Sequence, residues 1–116
     1  MFTADTTGGV VRIIVTSINP AKVTVTHKAK SAGNRFVWIV FNATVFDNAN
    51  VCVANFARKG GGALPTVTFL QNQDCVDLIP GSNALIAAHV TGASGDVYTY
   101  DVKVGGAVVI DPELEI

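Results

Sequence analysis

Charge is scarce in this chain. Only 15% of its 116 residues are Asp, Glu, Lys or Arg, against roughly 25% in ordinary soluble domains. So few charges cannot cover the surface, and association with itself or another protein is expected. The net charge of −1 and pI near 6.0 argue against a dedicated nucleic-acid binder, whose domain pI usually exceeds about 9, so no nucleic-acid partner is expected. No apolar run approaches the roughly 20 residues of a membrane-crossing helix, so no membrane span is expected. Catalytic signatures are missing as well. There is no Gly-x-Ser-x-Gly elbow, and Gly60-Gly61-Gly62 lacks the Gly-Lys-Ser/Thr ending of a phosphate loop. Two Cys and two His without ligand spacing fall short of the four positions of a zinc site. Asp74 and Asp77 do not make the alternating acids of a calcium loop. The chain reads as a non-enzyme with no metal and no cofactor.

The few charges are unevenly distributed. Residues 1–60 carry seven bases (Arg12, Lys22, Lys28, Lys30, Arg35, Arg58, Lys59) against Asp5 and Asp47, a net of +5. Residues 61–116 carry Lys103 against Asp74, Asp77, Asp96, Asp101, Asp111, Glu113 and Glu115, a net of −6. Either the halves pair across neighbouring strands, or the surface is bipolar and favours head-to-tail contacts between copies. Cys52 and Cys75 sit in apolar, strand-like settings. One bridge would close a loop of about 24 residues and contribute roughly 3 kcal/mol; two buried free thiols are the alternative. Met-Phe-Thr-Ala-Asp is no signal peptide. That start suits a cytosolic or virion protein, or a secreted domain without its leader; an extracellular, periplasmic or virion setting is favoured.

What is abundant is β-former. The run from Arg35 to Phe46 is too short to span a membrane and too rich in β-branched and aromatic residues for a surface helix, so it predicts a central strand. Phe36, Trp38, Val40 and Phe46 share one face, and Val37, Ile39, Phe41 and Val45 the other. One face meets the core; the second needs another cover. Val10–Ser17, Lys22–Lys28, Val51–Phe56, Thr66–Leu70, Cys75–Ile79, Ala84–Val90, Val97–Val104 and Val108–Ile116 follow as strands, with turns at Asn19-Pro20, Asp47–Asn50, Pro80–Asn83 and Gly105-Gly106. Pro112 marks an edge strand. His27 and His89 lie on the apolar parity of their strands and read as structural. The sequon Asn42-Ala43-Thr44 falls inside a buried strand and reads as chance.

The segment from Arg58 to Pro65, with Arg58, Lys59, Gly60, Gly61 and Gly62 at its start, is the most flexible, because successive glycines carry a high ordering entropy. It reads as a mobile loop, or as a partner-binding tip whose two bases meet acidic groups. Eight or nine short strands with turns at most breaks predict an antiparallel sandwich or barrel, one all-β domain over residues 1–116 with 1–9 as a loose lead-in.

The Val37-Trp38 strand, Cys75 far downstream, Tyr98-Thr-Tyr-Asp-Val-Lys-Val104 and Asp111-Pro-Glu-Leu-Glu-Ile116 together resemble the small cupredoxin-like β-sandwich proteins of bacteria. The match covers mainly the Trp38 strand and the last 20 residues. The resemblance implies a single antiparallel Greek-key β-sandwich, cupredoxin-like or immunoglobulin-like. It departs from the family where copper would bind: no His follows Cys75 until His89, and Met1 is the sole methionine. A metal-free member is implied. Three functions stay in play. The first is a structural or protein-binding sandwich that self-associates in a virion, filament or surface layer. The others are an extracytoplasmic cupredoxin-like domain with a residual metal or redox role, and a glycan- or ligand-binding sandwich using Trp38 and the tyrosines. On the first, the purified chain is oligomeric and its contact weakens with salt.

Overall fold

A computed structural model describes all 116 residues, and they fold as the all-β sandwich the sequence predicts. Sheet I contains β1 (Phe2–Thr3), β2 (Val10–Ile18), β3 (Ala21–Thr26), β5 (Arg35–Asn42), β7 (Thr66–Phe69) and β9 (Asn83–Thr91), in the order β1-β3-β2-β5-β9-β7. Sheet II contains β4 (Lys28–Lys30), β6 (Ala49–Arg58), β8 (Cys75–Leu78), β10 (Val97–Val104) and β12 (Glu113–Glu115), in the order β4-β12-β10-β6-β8. β11 (Ala107–Ile110) also pairs with β10. No helix is long and apolar enough to cross a membrane.

The sheets are mixed rather than purely antiparallel. β1–β3, β2–β5 and β4–β12 run parallel. A parallel pair needs a crossover between its strands, and the chain supplies one at His27. There it leaves β3 in sheet I for β4 in sheet II, then returns to lay β5 beside β2.

Alternation places the core. Val11, Ile13 and Val15 of β2, Phe36, Trp38 and Val40 of β5, and Ile86, Ala88 and Val90 of β9 point inward from sheet I. Val51 and Val53 of β6, with Tyr98, Tyr100, Val102 and Val104 of β10, meet them from sheet II. Trp38 is the hub: its ring lies 5.7 Å from Tyr100, 6.2 Å from Phe56 and 6.4 Å from Phe69. Phe56 breaks the parity of Val51 and Val53, and a bulge is the cause. Thr99 pairs with Ala57 but Asp101 with Ala54, so Asn55 and Phe56 oppose the single Tyr100. Asn55 takes the left-handed conformation, φ +57°, which turns Phe56 inward to stack on Tyr100 at 5.4 Å. Burial pushes the Tyr100 phenol well above its ordinary range. Its hydroxyl and Trp38 Nε1 have no hydrogen-bond partner.

Two expectations change at the ends of elements. The lead-in over residues 1–9 is held rather than loose. Val25 N donates to Met1 O at 2.9 Å, Lys30 N to Thr6 O at 2.9 Å and Gly9 N to Lys30 O at 2.7 Å. At Gly9 only glycine fits: φ is +71°, and a Cβ would stand 2.1 Å from the Arg35 carbonyl oxygen. The central strand ends at Asn42, so Val45 and Phe46 belong to a loop, 74% and 90% exposed.

Candidate functional site

The outer face of sheet I is apolar at its centre. In β5 the residues facing away from the core are Val37, Ile39 and Phe41, all half-buried. Their neighbours by register are Val10, Arg12 and Ile14 on β2, and Ala87, Leu85 and Asn83 on β9. Leu85 is 61% exposed. Two adjoining rows, Ile14–Phe41 and Ile39–Leu85, therefore form a strip with no second layer over it. This is the uncovered second face of the central strand.

The charge on that face is of one sign. The strands of sheet I contain Arg12, Lys22 and Arg35 and no Asp or Glu. None of these three bases has an acidic partner, whereas five ion pairs form elsewhere. Arg35 stands opposite His89, which in turn stands opposite Thr68 of β7. Where β7 ends, the 3-10 turn Leu70–Asn72 rises beside these strands, with Gln71 and Asn72 both at φ +55°. The result is a cleft of about 560 Å³ at the Arg35 end of β5, lined among others by Arg35, Val37, Thr68, Leu70, Ala87 and His89. It combines an apolar floor with a guanidinium and an imidazole, which suits a group carrying both an apolar body and a carboxylate.

At the other end of β5 the exposed Val45-Phe46 tip is braced from below. Asn42 is fully buried. Its Nδ2 donates to Asp47 O at 2.7 Å and Leu78 O at 3.1 Å. Its Oδ1 accepts from Thr44 N at 3.0 Å and from the Thr44 hydroxyl at 2.6 Å. Every polar group of the amide is used, so the sequon asparagine is an internal clamp and its Nδ2 is closed to glycosylation.

The residues singled out from the sequence fall elsewhere. Cys52 and Cys75 are opposite each other on β6 and β8 and are joined by a disulfide. Neither is one of the two buried free thiols that the sequence left as the alternative. Arg58 and Lys59, at the start of the Gly60-Gly61-Gly62 loop, do meet acidic groups, and these are the chain's own. Arg58 Nη2 is 3.1 Å from Asp96 Oδ1, and Lys59 Nζ is 2.7 Å from Glu113 Oε2. Burial pushes the Asp96 carboxyl up. Hydrogen bonds from Tyr98 and Arg58, with the Arg58 charge, outweigh it and hold Asp96 below the ordinary carboxylate range. Lys28 and Lys30 flank Glu115 at 3.8 and 3.7 Å. These four pairs join the basic half of the sequence to the acidic half, so much of the +5 and −6 split is neutralised across strands of one molecule.

His27 sits at the β3–β4 junction, its Nδ1 3.0 Å from Asp5 and its ring edge-to-face with Phe2 at 5.1 Å. It is partly exposed, not on an apolar face. His89 is exposed on the outer side of β9. Its strand buries the opposite parity, Ile86, Ala88 and Val90. Trp38, Tyr98 and Tyr100 are all buried and form no exposed platform for a glycan. No three metal-ligating side chains converge.

No protein-family model matches the chain, and no curated protein does. Among solved structures it is similar to an extracellular fragment of EsaA from Streptococcus gallolyticus, at 15% identity and a TM-score of 0.46. The match covers 72% of this chain and 24% of that one. None of these comparisons ties the chain to the cupredoxin-like proteins.

Proposed function

We propose that this chain is a non-enzymatic β-sandwich that works by docking protein on the outer face of sheet I, as a self-associating subunit of a larger assembly. One observation carries the reading. The face combines an uncovered apolar strip (Ile14, Ile39, Phe41, Leu85) with three bases that have no acidic partner, while sheet II meets most of its charge internally. Burying such a strip is favourable by about 25 cal/mol per Å² of apolar surface, and unpaired rim charges select the partner. The Cys52–Cys75 bridge supports a setting outside the reducing cytosol. The alternative raised by the cupredoxin-like resemblance, a residual metal or redox role, finds its cysteine already bridged.

Light scattering across a concentration series tests the reading. The wild-type chain should associate. Leu85→Asp, which places a charge in the centre of the strip at an exposed position, should leave a monomer with an unchanged unfolding midpoint. A wild-type monomer at high concentration and low salt, or a Leu85→Asp chain that associates as before, overturns it.

A further inference from the structure

We infer that the cleft at the Arg35 end of sheet I receives the Phe46–Asp47 tip of a second copy of this chain, in a head-to-tail contact. This rests on the docking reading above and names its partner.

The tip is built as an anchor. Phe46 is 90% exposed, yet the backbone beneath it is fixed by the four hydrogen bonds of Asn42. A preorganised loop loses little further freedom on docking, and aromatic side chains dominate the centres of interfaces. The adjacent Asp47 carboxylate has no ion-pair partner in its own chain.

The cleft is the complement of that tip. Val37, Ala87 and Leu70 provide apolar contact for a ring, and Arg35 and His89 stand beside them without an acid. A guanidinium offers a carboxylate two parallel hydrogen bonds, and Asp47 follows Phe46 directly in the chain. One tip thus presents both groups the cleft is lined to receive.

The two features cannot meet within one molecule. They lie at opposite ends of β5, whose eight residues at about 3.3 Å each separate them by roughly 25 Å. Docking therefore needs a second copy, and each copy keeps one tip or one cleft free. Such a heterologous contact does not stop at two chains.

The test uses two one-sided variants. Phe46→Ser keeps a cleft and removes the tip; Ala87→Glu keeps the tip and fills the cleft with a like charge. Both positions face outward, so circular dichroism and the thermal midpoint should match wild type. By sedimentation velocity each variant alone should be a monomer, its half-association concentration raised at least about tenfold. An equimolar mixture should form a two-chain species and nothing larger, since one intact tip meets one intact cleft. As a charge check, Asp47→Lys should abolish association, and Asp47→Lys with Arg35→Glu in the same chain should restore it. Wild-type-like association of Phe46→Ser, or a mixture that stays monomeric while wild type associates, overturns the tip-and-cleft contact. If Leu85→Asp still breaks association in that case, docking on sheet I survives and only the named partner fails.

Discussion

Sheet I and sheet II contribute the same kind of inner face, valine-rich with large aromatics at the centre, and part company on the outside. The strands of sheet II carry four bases (Lys28, Lys30, Arg58, Lys103) and four acids (Asp77, Asp101, Glu113, Glu115), and three of those bases make ion pairs within the chain. Asp101 and Asp77 accept hydrogen bonds from Asn55 and Asn50, both at 2.8 Å. The strands of sheet I carry three bases and no acid, around an apolar strip. Sheet II is a surface finished for water. Sheet I has the makings of a surface that something else finishes, because nothing in its own chain neutralises Arg12, Lys22 and Arg35 or covers Ile39 and Leu85.

The largest effect that would sharpen this contrast lies within β5 itself. Trp38 faces inward and contacts rings from both sheets, so Trp38→Ala should cost about 3–5 kcal/mol of unfolding free energy. Ile39, the next residue, faces out, and Ile39→Ala should cost about 1 kcal/mol or less while weakening association. Urea denaturation of both variants, with light scattering alongside, measures the difference. Equal costs would mean that Ile39 belongs to a core, and the strip would lose its claim as a free face.

Next in size is the disulfide, which belongs to sheet II. Cys52 and Cys75 are 23 residues apart, and removing both with Cys52→Ala and Cys75→Ala should lower stability by about 3 kcal/mol. Because the bridge ties β6 to β8 on the outer face of sheet II, the half-association concentration should stay unchanged wherever the variant is folded. A loss of association in step with the loss of the bridge would show that the two surfaces are not independent.

Much of this was readable from residues in order. Period-2 patterns at Val10–Ser17, Val97–Val104 and the Trp38 strand mark strands because a sheet buried on one side demands alternation. The two-faced apolar pattern of β5 already signals an uncovered second face. What could not be read depends on contacts between distant segments. The Arg35–His89 pair needs the β5–β9 register, which no local pattern carries. The end of β5 depends on Asn42 reaching Leu78 O, 36 residues away, so Val45 and Phe46 continue the strand's pattern without being part of it. His89 shares parity with Leu85 and Ala87, and in a strand of small and apolar residues parity alone does not say which side is buried. The bulge at Asn55 shifts Phe56 inward for a reason visible only as φ +57°.

The smallest effect separates the two sheets by their charges. Lys59 and Glu113 approach to 2.7 Å, with the Glu113 side chain 13% exposed and the Lys59 side chain 60% exposed. A pair so open to water on one side is worth about 0.2–1 kcal/mol. A double-mutant cycle through Lys59→Ala and Glu113→Ala should therefore give a small positive coupling. It should fade as salt rises past about 0.5 M and the Debye length shrinks to roughly 4 Å. Arg35 has no such partner, so Arg35→Ala should leave the stability of the monomer unchanged at any salt while raising the half-association concentration. If Arg35→Ala destabilises the monomer as much as Lys59→Ala does, its charge is already satisfied within one molecule. The cleft would then have nothing left to offer an incoming carboxylate.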